Sequence, residues 1–212
     1  MPDIRRLSSE LALLGMRPAA RVAARSLLDC EVTGRENLPS DGPVVIAANH
    51  FSHLDPPIVG MLPDRAVRFI AVDELFGNHL AFDVFTKFFG AIPTDRDGVP
   101  LGALKEAIRH LDGGGIVGLF PEGRRVEFWG ETEPKRGASW LAWMTGAPLV
   151  PIAIHGTEGT LAPGETGIHR TAVRVWVGPP LWWHEYADRV DPLGTMTETW
   201  RLWIDDRLAA WQ

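Results

Sequence analysis

Three short, unbroken apolar runs constrain this chain most: Val44-Val45-Ile46-Ala47-Ala48, Ile116-Val117-Gly118-Leu119-Phe120 and Leu149-Val150-Pro151-Ile152-Ala153-Ile154. Runs of this length, rich in Val and Ile and bounded by Gly and Pro, read as buried strands. Each ends in polar residues: Asn49-His50-Phe51-Ser52-His53-Leu54-Asp55, then Pro121-Glu122-Gly123-Arg124-Arg125, then His155-Gly156-Thr157. Helical patterns lie between them, so strands and helices alternate in the βα manner. The expected fold is an α/β domain with a mixed, mostly parallel sheet flanked by helices. In such folds ligands and catalytic groups collect where loops leave the carboxyl ends of the strands.

His50 and Asp55 lie five apart at the end of the first run, and Pro56-Pro57 suits the first turn of a helix beginning at Asp55. That turn can fold the carboxylate back onto the imidazole. A carboxylate on one ring nitrogen fixes the tautomer and leaves the other nitrogen free as a base, as in hydrolase triads. No convincing nucleophile accompanies the pair.

Composition narrows the function. With 212 residues and 45% hydrophobic content, the chain suits one domain with a sizeable core. A net charge of −6 argues against general nucleic-acid binding, which needs a surplus of Lys and Arg. The single cysteine, Cys30, rules out an internal disulfide and a cysteine-based zinc site. No run of eighteen apolar residues and no signal-peptide pattern is visible, which predicts a cytoplasmic protein without a membrane span.

Residues 1–29 form an N-terminal amphipathic helical segment in this reading, ahead of a domain over 30–212. Arg17, Arg21 and Arg25 share one face of that helix, which suggests peripheral contact with an anionic membrane at the cytoplasmic face, although Pro18 interrupts the pattern. Further helices are expected from Leu80 to Phe89, from Pro100 to Leu111, from Lys135 to about Thr145 and from about Thr195 to Trp211. The last carries Met196, Trp200, Trp203, Ile204, Leu208 and Trp211 as a core-facing stripe. Gly113-Gly114-Gly115 stops a helix and is no nucleotide loop, because no Gly-Lys-Ser/Thr follows. Residues 156–171 are the best loop candidate.

Four ordered blocks, Asn49-His50-x-Ser52-x-x-Asp55, Gly90-x-Ile92-x-x-Asp95-Arg96, Phe120-Pro121-Glu122-Gly123-x-Arg125 and Val150-Pro151-Ile152, resemble the four motifs of the glycerolipid acyltransferases, the 1-acylglycerol-3-phosphate acyltransferase family. One His-x4-Asp alone would be weak, whereas four blocks in order at strand ends and turns are specific. The resemblance covers roughly residues 30–180.

It implies transfer of a fatty acyl group from a thioester, on coenzyme A or acyl carrier protein, to a lipid acceptor hydroxyl, with no cofactor beyond that co-substrate and no metal. His50 would be the general base and Asp55 its orienting partner, so no acyl-enzyme and no nucleophile are needed. The resemblance places Arg96 on the acceptor phosphate, where a guanidinium fork fits. It places Glu122 and Gly123 at the acceptor, with Lys135 near the phosphate, and adds Asn49, Ser52 and Arg125 to the binding set. The apolar fourth block would shape the acyl side. Many members read Pro-Glu-Gly-Thr-Arg-Ser in the third block, where this chain has Arg124 and Val126 in place of the threonine and serine. That departure leaves open an acceptor other than a glycerolipid. Two further classes compete: a metal-dependent hydrolase using His50, His53 and Asp55, and a non-catalytic lipid-binding module.

Overall fold

The computed structural model describes residues 29–72, 91–94, 101–158 and 171–211. The N-terminal segment, the helix expected over Leu80–Phe89, Asp95, Arg96 and most of the 156–171 loop lie outside the described residues.

Seven strands form one sheet: β1 (Glu31–Thr33), β2 (Val44–Ala48), β3 (Val67–Val72), β4 (Ile92–Thr94), β5 (Ile116–Leu119), β6 (Leu149–His155) and β7 (Arg174–Val177). Their spatial order is β1-β7-β6-β2-β5-β3-β4. The five strands from β6 to β4 run parallel to their neighbours. β7 turns antiparallel against β6 and carries β1 parallel to itself at the edge. This is the mixed, mostly parallel α/β sheet that the apolar runs predict.

Burial explains why those runs do not alternate. All five residues of β2 are buried, because both faces of the sheet are covered. Val44, Ile46 and Ala48 point into one core with Val150, Ile152, Ile154 and the short helix α1 (Asp55–Gly60). Val45 and Ala47 point into the other. There they meet α2 (Leu101–Asp112), α3 (Gly137–Thr145) and α4 (Pro192–Ala209).

The expected stripe of the last helix is observed in part. Met196, Trp200, Ile204 and Leu208 are buried, and the Trp200 indole N–H donates to the Ala47 carbonyl at 2.9 Å. That bond ties α4 to the strand that carries the first polar block. Trp211, beyond the helix, is 38% exposed and packs against Trp176 and His155. Val150, Pro151 and Ile152 are wholly buried mid-strand residues of β6, paired to β2, so the fourth block belongs to the sheet core and not to a substrate surface. Sheet register decides what meets what: Ala47 lies opposite Leu119 on one side and Pro151 on the other. The first and third polar blocks therefore leave adjacent strands at the same end.

Candidate active site

Asp55 opens α1, followed by Pro56 and Pro57, whose missing N–H groups are not needed in a first turn. The loop from His50 to Asp55 closes on the carboxylate. Asp55 Oδ2 accepts from the Phe51 and Ser52 backbone N–H groups, both at 2.7 Å, and lies 2.9 Å from His50 Nδ1. An ionised carboxylate oxygen has only lone pairs to offer, so Nδ1 carries the proton and donates. The other ring nitrogen, Nε2, keeps its lone pair and bonds to no described residue. The Asp55 side chain is completely buried and the His50 side chain is 15% exposed, so the imidazole alone of the pair reaches the surface.

The third block grips the same histidine. Glu122 Oε1 accepts from the His50 backbone N–H at 3.1 Å, and the Val126 N–H donates to the His50 carbonyl at 2.9 Å. The Phe120 ring lies over the imidazole, with centroids 4.0 Å apart and planes 20° apart. Phe69 stacks in turn on Phe120 at 5.9 Å. A Cβ on Gly118 would come within 2.6 Å of the Phe69 ring, so glycine inside β5 leaves the room that this column of rings requires.

Glu122 is buried, and that burial, aided by the Asp55 charge, pushes its carboxyl from the ordinary 4.5 up to about 7. Its folded-state value therefore lies above the unfolded one, and the folded protein holds a proton that the unfolded chain releases between those two values. Stability is expected to fall as pH rises through that window, by about 3 kcal/mol at most for this group. Glu122→Gln, uncharged and of equal shape, should unfold at the same denaturant concentration as the parent below pH 4.5 and at a higher one above pH 7. Parallel pH curves for the two proteins would contradict this.

Arg125 stands close enough to feel the Asp55 charge, and one of its terminal nitrogens, Nη1, is buried with no hydrogen-bond partner among the described residues. His53, half-buried beside it, is held down at about 4 by burial first and by the Arg125 charge second. Gly123 has φ +73, a conformation that suits glycine, and a Cβ there would meet Lys135 Nζ at 2.8 Å. The Lys135 backbone N–H also donates to the Pro121 carbonyl, so Lys135 lies against the third block. Arg124 turns outward to Glu131 at 2.5 Å.

Two expected binding residues have different surroundings. The Asn49 amide donates to the Ile154 carbonyl at 2.8 Å and accepts from the Ile154 N–H at 2.7 Å, continuing the β2–β6 pairing by a side chain. Ser52 is likewise fully buried, with its hydroxyl near the Leu54 N–H. Both are spent inside the fold. The sequence reading missed the ring column of Phe120 and Phe69; the glycine inside an otherwise apolar strand, Gly118, was the signal that something large approaches there. Among the described residues no cluster of three or more His, Cys, Asp or Glu side chains is arranged to hold a metal. No helix among them is long and apolar enough to cross a membrane.

Comparison with known proteins agrees with this arrangement. The family described as Acyltransferase matches residues 29–155. A 1-acyl-sn-glycerol-3-phosphate acyltransferase of Bacillus subtilis (strain 168) is 35% identical over 173 residues, which is 79% of this chain and 82% of that protein. The chloroplastic 1-acyl-sn-glycerol-3-phosphate acyltransferase BAT2 of Brassica napus is 32% identical over 168 residues, covering 77% of this chain and 47% of its own length. The crystal structure of the 1-acyl-sn-glycerophosphate acyltransferase PlsC from Thermotoga maritima superposes with a TM-score of 0.76 at 25% identity, over 100% of this chain and 86% of that one. A histidine–carboxylate pair at the end of β2, gripped by the block that ends the adjacent parallel strand β5, lies within a matched stretch that spans both blocks and leads to one conclusion: the chain belongs to the acyltransferase family and is an acyltransferase.

Proposed function

We propose that the protein moves a fatty acyl group from an acyl thioester, on coenzyme A or acyl carrier protein, to the free hydroxyl of a 1-acylglycerol-3-phosphate. The observation that carries this reading is the His50–Asp55 pair, with Nδ1 bonded to the carboxylate and Nε2 left available. His50 Nε2 takes the hydroxyl proton as the alcohol oxygen attacks the thioester carbonyl. The C–O bond forms, the C–S bond breaks, and the proton passes to the departing thiolate. Asp55 stabilises the imidazolium in between, and no covalent enzyme intermediate is needed.

The binding roles follow from position. Arg125 and Lys135 supply positive charge beside the base and are assigned to the anionic parts of the substrates, together with the backbone at Gly123. Asn49, Ser52 and Glu122 act by holding the His50 loop. Arg96, from the second block, is assigned to the acceptor phosphate on its sequence position alone. The donor is assigned to the crevice at the carboxyl ends of β2 and β5, and contact with a lipid surface at the cytoplasmic face accompanies such an acceptor.

Purified protein offered a panel of acyl thioesters and hydroxyl acceptors tests the reading, with free thiol release as the signal. Release that depends on 1-acylglycerol-3-phosphate is expected; release unaffected by every acceptor contradicts it, and dependence on a different hydroxyl compound redirects it to a non-glycerolipid acceptor. In the same assay Arg96→Ala is expected to weaken the acceptor's apparent affinity about tenfold to a hundredfold, the worth of a hydrogen bond to a charged group. Saturation by the thioester should be unchanged. A variant that loses the donor and keeps the acceptor would reassign Arg96 to the carrier's phosphates.

A further inference from the structure

We propose that Phe120 is a positioning residue for the reaction: its ring face holds the His50 imidazole in line with Asp55 and stabilises the imidazolium that forms when the acceptor gives up its proton. The inference rests on the reading of His50 as the base. The geometry is that of a stacked cation site, with ring centroids 4.0 Å apart and planes 20° apart, well inside the reach of a cation over an aromatic face. Little water reaches the contact, because Phe120 is packed against the core and the His50 side chain is 15% exposed, and such interactions strengthen when desolvated.

Phe120 is held in its turn. Phe69 stacks on it with centroids 5.9 Å and planes 9° apart, and Gly118 leaves the space that Phe69 fills. The column runs Gly118, Phe69, Phe120, His50, from the interior of β5 outward to the reacting nitrogen. The third block therefore holds His50 by three contacts: the Phe120 ring face on the imidazole, the Glu122 carboxylate accepting from the His50 N–H, and the Val126 N–H donating to the His50 carbonyl. The charged and titratable groups that also face His50 are Asp55 from α1, Glu122 from the third block and His53 from the intervening loop, and Arg125 lies near Asp55 and His53. None of them is altered by a change confined to the Phe120 ring.

Fluorinated phenylalanines at position 120 separate the electronic role from a merely structural one, since fluorine drains the ring face of negative charge while almost preserving its shape. Two readouts apply to the full chain: the midpoint of the His50 ring-proton titration by NMR, and the acid limb of the pH–rate profile. The expected result is a stepwise move of both to lower pH with each added fluorine, reaching about half a unit to one unit for the most fluorinated ring, with turnover reduced severalfold to about tenfold. Phe120→Leu should show the full loss, and Phe120→Tyr should restore the parent profile. A titration midpoint that stays flat across the fluorinated series overturns the proposal, whatever happens to stability. The NMR arm needs no substrate, so an error in the acceptor assignment would leave the series intact and show itself only as missing turnover.

Discussion

Replacing His50 with alanine is expected to lower turnover about a hundredfold to ten-thousandfold, the usual worth of a positioned general base, and to leave the fold in place. The expectation of intact structure comes from how the loop is held. The His50 backbone keeps its bonds to Glu122 and Val126, and Asp55 Oδ2 keeps its bonds to the Phe51 and Ser52 amides, so only the imidazole contacts are lost. Those contacts are one hydrogen bond and one ring stack on a partly exposed side chain. Thiol release measured with saturating acceptor checks the rate, and the denaturant midpoint checks the fold. Near-parent turnover in a folded variant would remove His50 from the chemistry; a non-catalytic lipid-binding module predicts that outcome.

Asp55 should separate charge from architecture. From spacing alone, Asp55→Asn is expected to be severely slowed because the amide can favour the wrong imidazole tautomer. The structure changes the reason and the size. Two backbone N–H groups point at the Oδ2 position, so the asparagine oxygen must occupy it, since the amide NH2 there would face two donors. His50 Nδ1–H then still meets an acceptor and the tautomer survives. What disappears is the negative charge opposite the imidazolium, and exchanging a charged acceptor for a neutral one should cost about tenfold to a hundredfold in turnover. Asp55→Ala removes the acceptor altogether. It leaves the Phe51 and Ser52 N–H groups buried and unpaired, at about 1–3 kcal/mol each, and it should lower both the unfolding midpoint and turnover, the latter as far as His50→Ala does. An asparagine variant as inactive as the alanine variant would show that the tautomer, and not the charge, is what Asp55 supplies.

The sequence by itself determined which segments are strands and where their polar ends lie, because a strand covered on both faces must be apolar at every position and cannot alternate. Val44 to Ala48, Ile116 to Leu119 and Leu149 to Ile154 are legible for that reason, and so is the His50–Asp55 turn, a local feature fixed by five residues and two prolines. The same local logic placed α2, α3 and the buried stripe of α4. Only the tertiary structure decided the strand order, which sets β5 and β6 on either side of β2 although some seventy and a hundred residues separate them from it in sequence. That adjacency is set by the packing of whole faces, and no short motif encodes it. It turned Asn49 toward Ile154, carried Glu122 to the His50 backbone and laid Phe120 on the imidazole. It also moved the fourth block from the expected acyl surface into the buried middle of β6, because a strand paired on both edges and covered on both faces has no surface to offer.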